Sequence, residues 1–287
     1  MSGSLLELAS VTKLFPMGGL FSRKLMKAVN AVSFTLVEDR PEIFAIVGES
    51  GSGKSTLANM ILGSERADAG ILRFEGVDIG AIKARRDREA FMSKVQPVFQ
   101  NPFEAFNPLT AVDQYLLATA RRFRGAGDTG QAEGLVDEAL QRVGLSFAEV
   151  KRRFSHELSG GQLQRVAVAR ALIPSPKLIV ADEPVSMVDA SLRMSIVNLF
   201  RTLRDDLHVS IIYITHDLAT AYYISDRVII MRKGEVVESG DARSVLDAPH
   251  HPYSIALKNA VLPPDPVRAA QAVSARRVNA GSAATTP

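Results

Sequence analysis

The run Gly48-Glu-Ser-Gly-Ser-Gly53-Lys54-Ser55 limits what this chain can fold into more than any other feature. It fits G-x4-G-K-[ST]. Glycines in that pattern let successive backbone N–H groups turn inward around phosphate oxygens. Such a loop belongs where a buried strand runs into a helix, and the flanks "IFAIVG" and "STLANMIL" supply both. Three further runs, "QPVFQ", "KLIVADEP" and "VSIIYITHD", are apolar without alternation and end in polar residues. That pattern predicts a parallel sheet covered on both faces, with ligands at the carboxyl ends of its strands. Gly48, Ser50, Gly51, Ser52, Gly53, Lys54, Ser55 and Thr56 are therefore the expected phosphate-binding residues. Lys54 is expected to reach the β- and γ-phosphates, and Ser55 to offer its hydroxyl to Mg²⁺.

Magnesium held with a nucleotide needs a second protein oxygen, or a water fixed by one. In "LIVADE", four apolar residues lead to Asp182 at a strand's carboxyl end, where a carboxylate can hold the metal's hydration shell. Glu183 beside it is placed to polarise an attacking water as a general base. An acidic pair after an apolar run is often just a solvated strand end; the phosphate loop upstream is what gives this pair chemistry. ATP and Mg²⁺ are the expected cofactors.

About a hundred residues later a second site for an anion is written, "HELSGGQLQRVAVARA", His156 to Ala171. Ser159, Gly160 and Gly161 lead into a helix from Gln162, whose N-terminus is positive. The same residues also serve as an ordinary helix cap. One nucleotide needs one cradle, so the second demands an explanation. The stretch "LSGGQLQRVAVARAL" resembles the signature of ATP-binding-cassette (ABC) ATPases almost residue for residue. In that family two cassettes stack head to tail, and each signature closes on the γ-phosphate held by its partner's loop. The resemblance implies that Ser159, Gly160, Gly161 and Gln162 serve the other subunit's nucleotide.

It implies further roles, position by position. Gln100, after "VQPVF", stands where the family has a glutamine that senses Mg²⁺ and the γ-phosphate, so the expected metal set is Ser55, Gln100 and Asp182. "SMVDAS" resembles the loop that bridges the two active sites through Ser186 and Asp189. His216 stands at the end of "IIYIT", where the family places a histidine on the γ-phosphate and attacking water. Glu183, His216 and Gln100 thus form the expected catalytic set. Phe15 in "VTKLFP" stands where the family stacks an aromatic ring on adenine, though a place in the core is the competing reading.

The expected fold is α/β. Its parts are a P-loop NTPase core of RecA-like type, an antiparallel β subdomain ("AVSFTLVE", "GILRFEGVDI") and a helical ABC signature subdomain. The cassette is expected over 1–245, with its helical part at about 101–170, interrupted by the loop "RFRGAGDTGQ". An extension follows over 246–265, and 266–287 reads as a disordered tail. "VFQNPFEAFNPLTAV" and "APHHPYSIALKNAVLPPDP" are similar to stretches of oligopeptide and dipeptide importer ATPases. The resemblance covers roughly residues 5 to 262.

That branch implies an ATPase subunit of a multi-protein bacterial importer. Its partners are a second cassette, identical or related, two membrane permease subunits and, indirectly, an extracytoplasmic solute-binding protein. The variants Ala105-Phe106 and "DEPVSMVDASLR" leave peptide and oligosaccharide both open as the solute. Phe103, Phe106 and Leu109 either line a cleft that receives a permease helix or pack the helical part's own core. A soluble cassette acting on nucleic acid or ribosomes, and an exporter subunit, are the other readings. The three arginines of the tail are too few for specific nucleic-acid binding. No apolar run approaches the roughly 18 residues of a membrane span, and "MSGSLLELASVTK" lacks the pattern of a secretory signal. The expected location is the cytoplasmic side of the cell membrane, held there by the partners. With 0 cysteines, thiolate metal sites and cysteine nucleophiles are excluded.

Overall fold

A computed structural model describes residues 3–17, 24–103 and 105–260. The tail expected at 266–287 and the end of the extension lie outside them. Two sheets carry the fold. In the first, β1 (Ser4–Met17) pairs antiparallel with β2 (Lys24–Val37). The parallel core begins with β3 (Ile43–Val47), buried along its whole length, followed by α1 (Lys54–Ile61). β4 (Ala69–Phe74) and β5 (Val77–Asp78) return to the first sheet, whose order is β2-β1-β4-β5. Helix α2 (Arg85–Lys94) then feeds β6 (Val95–Val98) in the second sheet.

A helical segment follows: α3 (Val112–Arg124), α4 (Thr129–Arg142), α5 (Phe147–Val150) and α6 (Gly160–Leu172). The break expected over "RFRGAGDTGQ" is shorter than it reads. Arg121, Arg122 and Arg124 sit in the last turn of α3, where cations favour a helix end, and Gly125 closes it with φ 64°. Asp128 then caps α4, its carboxylate accepting from the Gln131 N–H at 2.8 Å.

The chain re-enters the second sheet as β7 (Leu178–Asp182), and α7 (Ala190–Leu207) leads to β8 (Ser210–Thr215). α8 (Leu218–Ile224) precedes β9 (Arg227–Arg232) and β10 (Glu235–Asp241), after which come α9 (Ala242–Asp247) and α10 (Pro252–Ala260). The order is β10-β9-β3-β8-β7-β6, with β10 antiparallel at one edge and the other strands parallel. β9 was not singled out in the sequence, although "RVIIM" carries the same unalternating signal. The antiparallel β sheet and α/β core match the expected fold.

Helix α1 explains why the two sheets hold together. Leu57, Ala58, Met60 and Ile61 are buried between Leu6, Leu8 and Leu36 of the first sheet and Ile212 and Ile214 of the second. Each large side chain buried there contributes about 1.5–3 kcal/mol. Phe34 and Phe44 stack at 4.5 Å across the same layer. The phosphate loop is thus fixed at both of its ends, by β3 and by α1.

The helical segment packs on the opposite face around Phe106, Leu116, Val136 and Leu163. Phe106 is 1% exposed, edge-on to Tyr115 at 5.4 Å, so of the two readings of that residue it takes the core. Phe103 and Leu109 are exposed.

Candidate active site

β3, β6, β7 and β8 run parallel, so their carboxyl ends lie along one edge of the sheet. That edge carries the loop after β3, Gln100 beyond β6, Glu183 after β7 and His216 after β8. They line one open cavity of about 1050 Å³, with Phe15 and Met26 from the first sheet closing its far wall.

The loop's glycines are required by contact. Gly53 has φ 103°, and a Cβ there would fall 2.1 Å from the Ala28 carbonyl oxygen. At Gly48 a Cβ would fall 2.3 Å from the Met231 carbonyl oxygen. Glu49, Ser50, Gly51, Gly53, Lys54, Ser55 and Thr56 line the cavity. Ser52 does not: its side chain is buried, while its carbonyl accepts from the Gly234 N–H at 2.9 Å.

The Lys54 ammonium donates to the carbonyls of Gly48 and Glu49, both at 2.8 Å. Burial lowers its pKa, and Glu183, Asp182 and Glu49 pull it back up. Behind it, burial raises the pKa of Asp182, against the hydrogen bond from the Ser55 hydroxyl. A cation and an anion both desolvated in this way gain from a ligand that supplies the opposite charges.

Glu183 is the meeting point. Its Oε2 accepts from Gln100 Nε2 at 3.2 Å, and its Oε1 lies 3.0 Å from His216 Nδ1. Its backbone is left-handed, φ 46°, which costs an L-residue about 1–2 kcal/mol. Its N–H donates to the Ile214 carbonyl at 2.9 Å, and its own carbonyl accepts from the Ser186 N–H and hydroxyl at 3.1 and 3.0 Å. His216 is placed by the next residue, Asp217, which caps α8 through the Ala219 N–H at 2.9 Å.

Ser159 and Gln162 form a reciprocal cap on α6, Gln162 N–H to Ser159 Oγ at 3.2 Å and Ser159 N–H to Gln162 Oε1 at 3.0 Å. None of Ser159 to Gln162 lines the cavity. A Cβ at Gly161 would fall 2.8 Å from Leu192 Cδ1, the free end of a partly exposed side chain that can turn aside. At Gly160 the nearest atom to a Cβ is the Met187 carbonyl oxygen at 3.8 Å. That contact places the signature beside the Ser186–Asp189 stretch, where Met187 and Asp189 are exposed.

Met26, Lys27, Ala28, Glu49, Lys233 and, from α10, Leu257 line the cavity too and lay outside the sequence reading of the site. Of these, Glu49 had a signal in its place within the loop motif and Leu257 in its place within "HPYSIAL".

A second, more apolar hollow of about 550 Å³ opens beside α3 and β6. Met92, Phe99, Tyr115 and Phe123 line it. Phe103 and Leu109 do not.

A glycine-rich loop after a central strand, with acid, amide and imidazole gathered from the neighbouring strand ends, is the equipment of an ATP-hydrolysing cassette. The model for ABC transporters matches residues 29–186, more than half of the sequence, and the chain belongs to that family. It is 40% identical over 243 residues to the oligopeptide transport ATP-binding protein OppF of Salmonella typhimurium, covering 85% of this chain and 72% of that one. It is 38% identical over 263 residues to AppF of Bacillus subtilis, an oligopeptide transport ATP-binding protein, with coverages of 90% and 78%. Among solved structures it resembles an ATP-binding cassette seen as a dimer after hydrolysis with ADP and Pi, at TM-score 0.72 and 29% identity over 83% of this chain and 99% of that one. It also resembles cbiO1 of Clostridium perfringens, part of an ABC transporter complex, at TM-score 0.71 and 25% identity over 91% and 96%.

Proposed function

We propose that this chain hydrolyses ATP to drive oligopeptide import. It would work at the cytoplasmic face of the cell membrane with two permease subunits, a second cassette and an extracytoplasmic binding protein. The observation that carries the reading is the convergence of Gln100 and His216 on the Glu183 carboxylate, in one cavity with the phosphate loop. The solute class is supported by the oligopeptide transporters to which the chain is similar.

Lys54 exchanges its two loop carbonyls for phosphate oxygens. Glu183 takes the proton of the attacking water, which requires Gln100 or His216 to give up its place on the carboxylate. Ser55 and Asp182 fit Mg²⁺: a hydroxyl already bonded to a carboxylate is a hard-oxygen pair. Among the described residues no group of three or more His, Cys, Asp or Glu forms a metal cage, as suits an ion completed by phosphate and water. With Gln100 as third ligand, such an ion would neutralise charge on the phosphate oxygens. The signature, turned away from this cavity, would close on a second cassette's nucleotide, with Ser186 and Asp189 at the same junction. Phe15 would stack on adenine, and the hollow lined by Phe99 and Phe123 would receive a permease helix.

The test is to recover the complex from native membrane through a tag on this chain, then screen its binding protein against peptides and oligosaccharides. Two multi-span proteins and a peptide ligand are expected. An oligosaccharide would move the chain to another branch of importers, and recovery without membrane partners would overturn the import reading.

A further inference from the structure

The helix after the cassette touches the phosphate loop. The Glu49 N–H, first in the loop after Gly48, donates to the Tyr253 hydroxyl of α10 at 2.9 Å. The peptide unit carrying that N–H also carries the Gly48 carbonyl, which accepts from Lys54 Nζ at 2.8 Å. In a trans peptide these two groups point in opposite directions, so the unit is held from both sides. Turning it over would take the carbonyl from Lys54 and swing the N–H away from the phenol. Glycine at 48 opposes such a turn less than any other residue.

Tyr253 is itself well fixed. The Arg232 guanidinium lies 4.9 Å from its ring centroid, at the end of the strand whose Met231 carbonyl abuts Gly48. The start of α10 is tied to β10, because the Glu238 carboxylate accepts from the His250 and His251 N–H groups at 2.8 and 3.3 Å. His251 Nδ1 accepts from the Tyr253 N–H at 3.1 Å. One turn on, Leu257 lies on the same helix face and lines the nucleotide cavity. Both side chains pack on the cluster that contains Val47, the residue before Gly48.

We propose that Tyr253 is a positioning residue for the phosphate loop, fixing the Gly48–Glu49 peptide so that Lys54 and the remaining N–H groups meet the phosphates in register. "HPYSIAL" is then part of the nucleotide site and not a surface appendage. The proposal needs only that the cavity binds ATP, and is indifferent to solute and permease.

The test compares the full-length chain with Tyr253→Phe, which keeps the ring, its Arg232 contact and its packing and removes only the hydroxyl. Binding of Mg·ADP is measured by calorimetry, and exchange of the Glu49 amide by nuclear magnetic resonance. The dissociation constant is expected to rise about fivefold, the scale of one neutral hydrogen bond, with faster Glu49 exchange and an unshifted unfolding midpoint without nucleotide. KM for ATP should rise by the same factor while kcat falls less than twofold. Unchanged affinity and unchanged Glu49 exchange would overturn the proposal. So would a fall in affinity matched by a lower unfolding midpoint, since that is the mark of general loosening. Wild type that binds no nucleotide would instead remove the cavity assignment on which this rests.

Discussion

His216 Nδ1 lies 3.0 Å from Glu183 Oε1, although 33 residues separate them in sequence. Adjacent strands bring them together: β7 ends at Asp182, β8 ends at Thr215, and each delivers its next residue to the same edge. Glu183 reaches that point through a left-handed backbone, held by Ile214 on one side and Ser186 on the other. Ser186 is therefore coupled to the carboxylate inside one chain, whatever it meets in a second. Movement of the loop at Ser186 has a direct route to the residue proposed as base.

Glu183→Gln keeps the volume, replaces one of the two accepting oxygens by a donor, and cannot take up a proton. ATP affinity should stay within about twofold while turnover falls by about 10²–10⁴, the range for loss of a general base. Because the γ-phosphate is not removed, the variant should collect as a nucleotide-bound dimer. Light scattering with and without ATP reads the mass, and wild-type turnover in the variant would remove Glu183 from its role.

Lys54→Ala and Gly53→Ala should both lose nucleotide, for different reasons. The first removes a charge and leaves the Gly48 carbonyl without its ammonium donor. The second drives a Cβ to 2.1 Å from the Ala28 carbonyl at φ 103°, so it should also destabilise the chain by more than 1 kcal/mol. Denaturant titration beside ADP binding separates them: only Gly53→Ala should unfold markedly earlier.

The phosphate loop, its strand and its helix were legible in the sequence because each is local, set by glycine spacing and apolar runs. Glu183 was nameable from "LIVADE" once the loop was present, whereas Gln100 and His216 were nameable only through the family resemblance. Gln100 and Glu183 stand 83 positions apart and nothing in the sequence between them says that they meet; the strand order says it. Phe103 and Phe106 look alike in sequence, yet one is 44% exposed and the other 1%. The difference is the T-shaped seat on Tyr115, a tertiary contact. Ser52 fitted the motif, yet its side chain is buried and its carbonyl accepts from Gly234 on a distant turn. The Tyr253 contact spans 204 residues and could not be read from the motif at all.

Glu75 ties the two sheets, with Lys94 at 2.6 Å and Lys177 at 2.5 Å; Lys177 also meets Glu38 at 2.6 Å. Burial pushes its pKa up, but hydrogen bonds from Lys177 and Lys94 outweigh this and leave it below the ordinary 4.5. A depressed carboxylate stabilises the fold above its unfolded pKa, and that contribution disappears as pH falls through the lower folded value. Glu75→Gln should therefore cost about 0.5–1 kcal/mol at pH 7, the lysines being half exposed. Little difference should remain from wild type well below pH 4.5. Urea titrations at pH 7 and in acid check this, and an equal loss at both would mean that packing, not charge, is responsible.

The hollow lined by Phe99 and Phe123 predicts a separable defect. Phe99, 45% exposed, does not support the core. Phe99→Glu should leave the isolated chain's folding and nucleotide binding within about 0.5 kcal/mol of wild type, as for surface changes generally. It should reduce recovery of membrane partners in a pull-down. Normal recovery would place the permease contact elsewhere.

Gly160 gives the sharpest test of action between two chains. A glycine is usually kept for positive φ or a close neighbour, but Gly160 shows no positive φ, and a Cβ would meet nothing nearer than 3.8 Å. At the first position of α6, alanine should stabilise the isolated chain by up to about 1 kcal/mol. If a partner's phosphate approaches this backbone, the added methyl obstructs it. Gly160→Ala in the Glu183→Gln background should thus raise or preserve the unfolding midpoint and still weaken the ATP-bound dimer by tenfold or more, about 1.4 kcal/mol. Sedimentation over a concentration series measures the dimer. A dimer as tight as with glycine would mean that no phosphate meets the backbone at Gly160, and that the cap on α6 serves this chain alone.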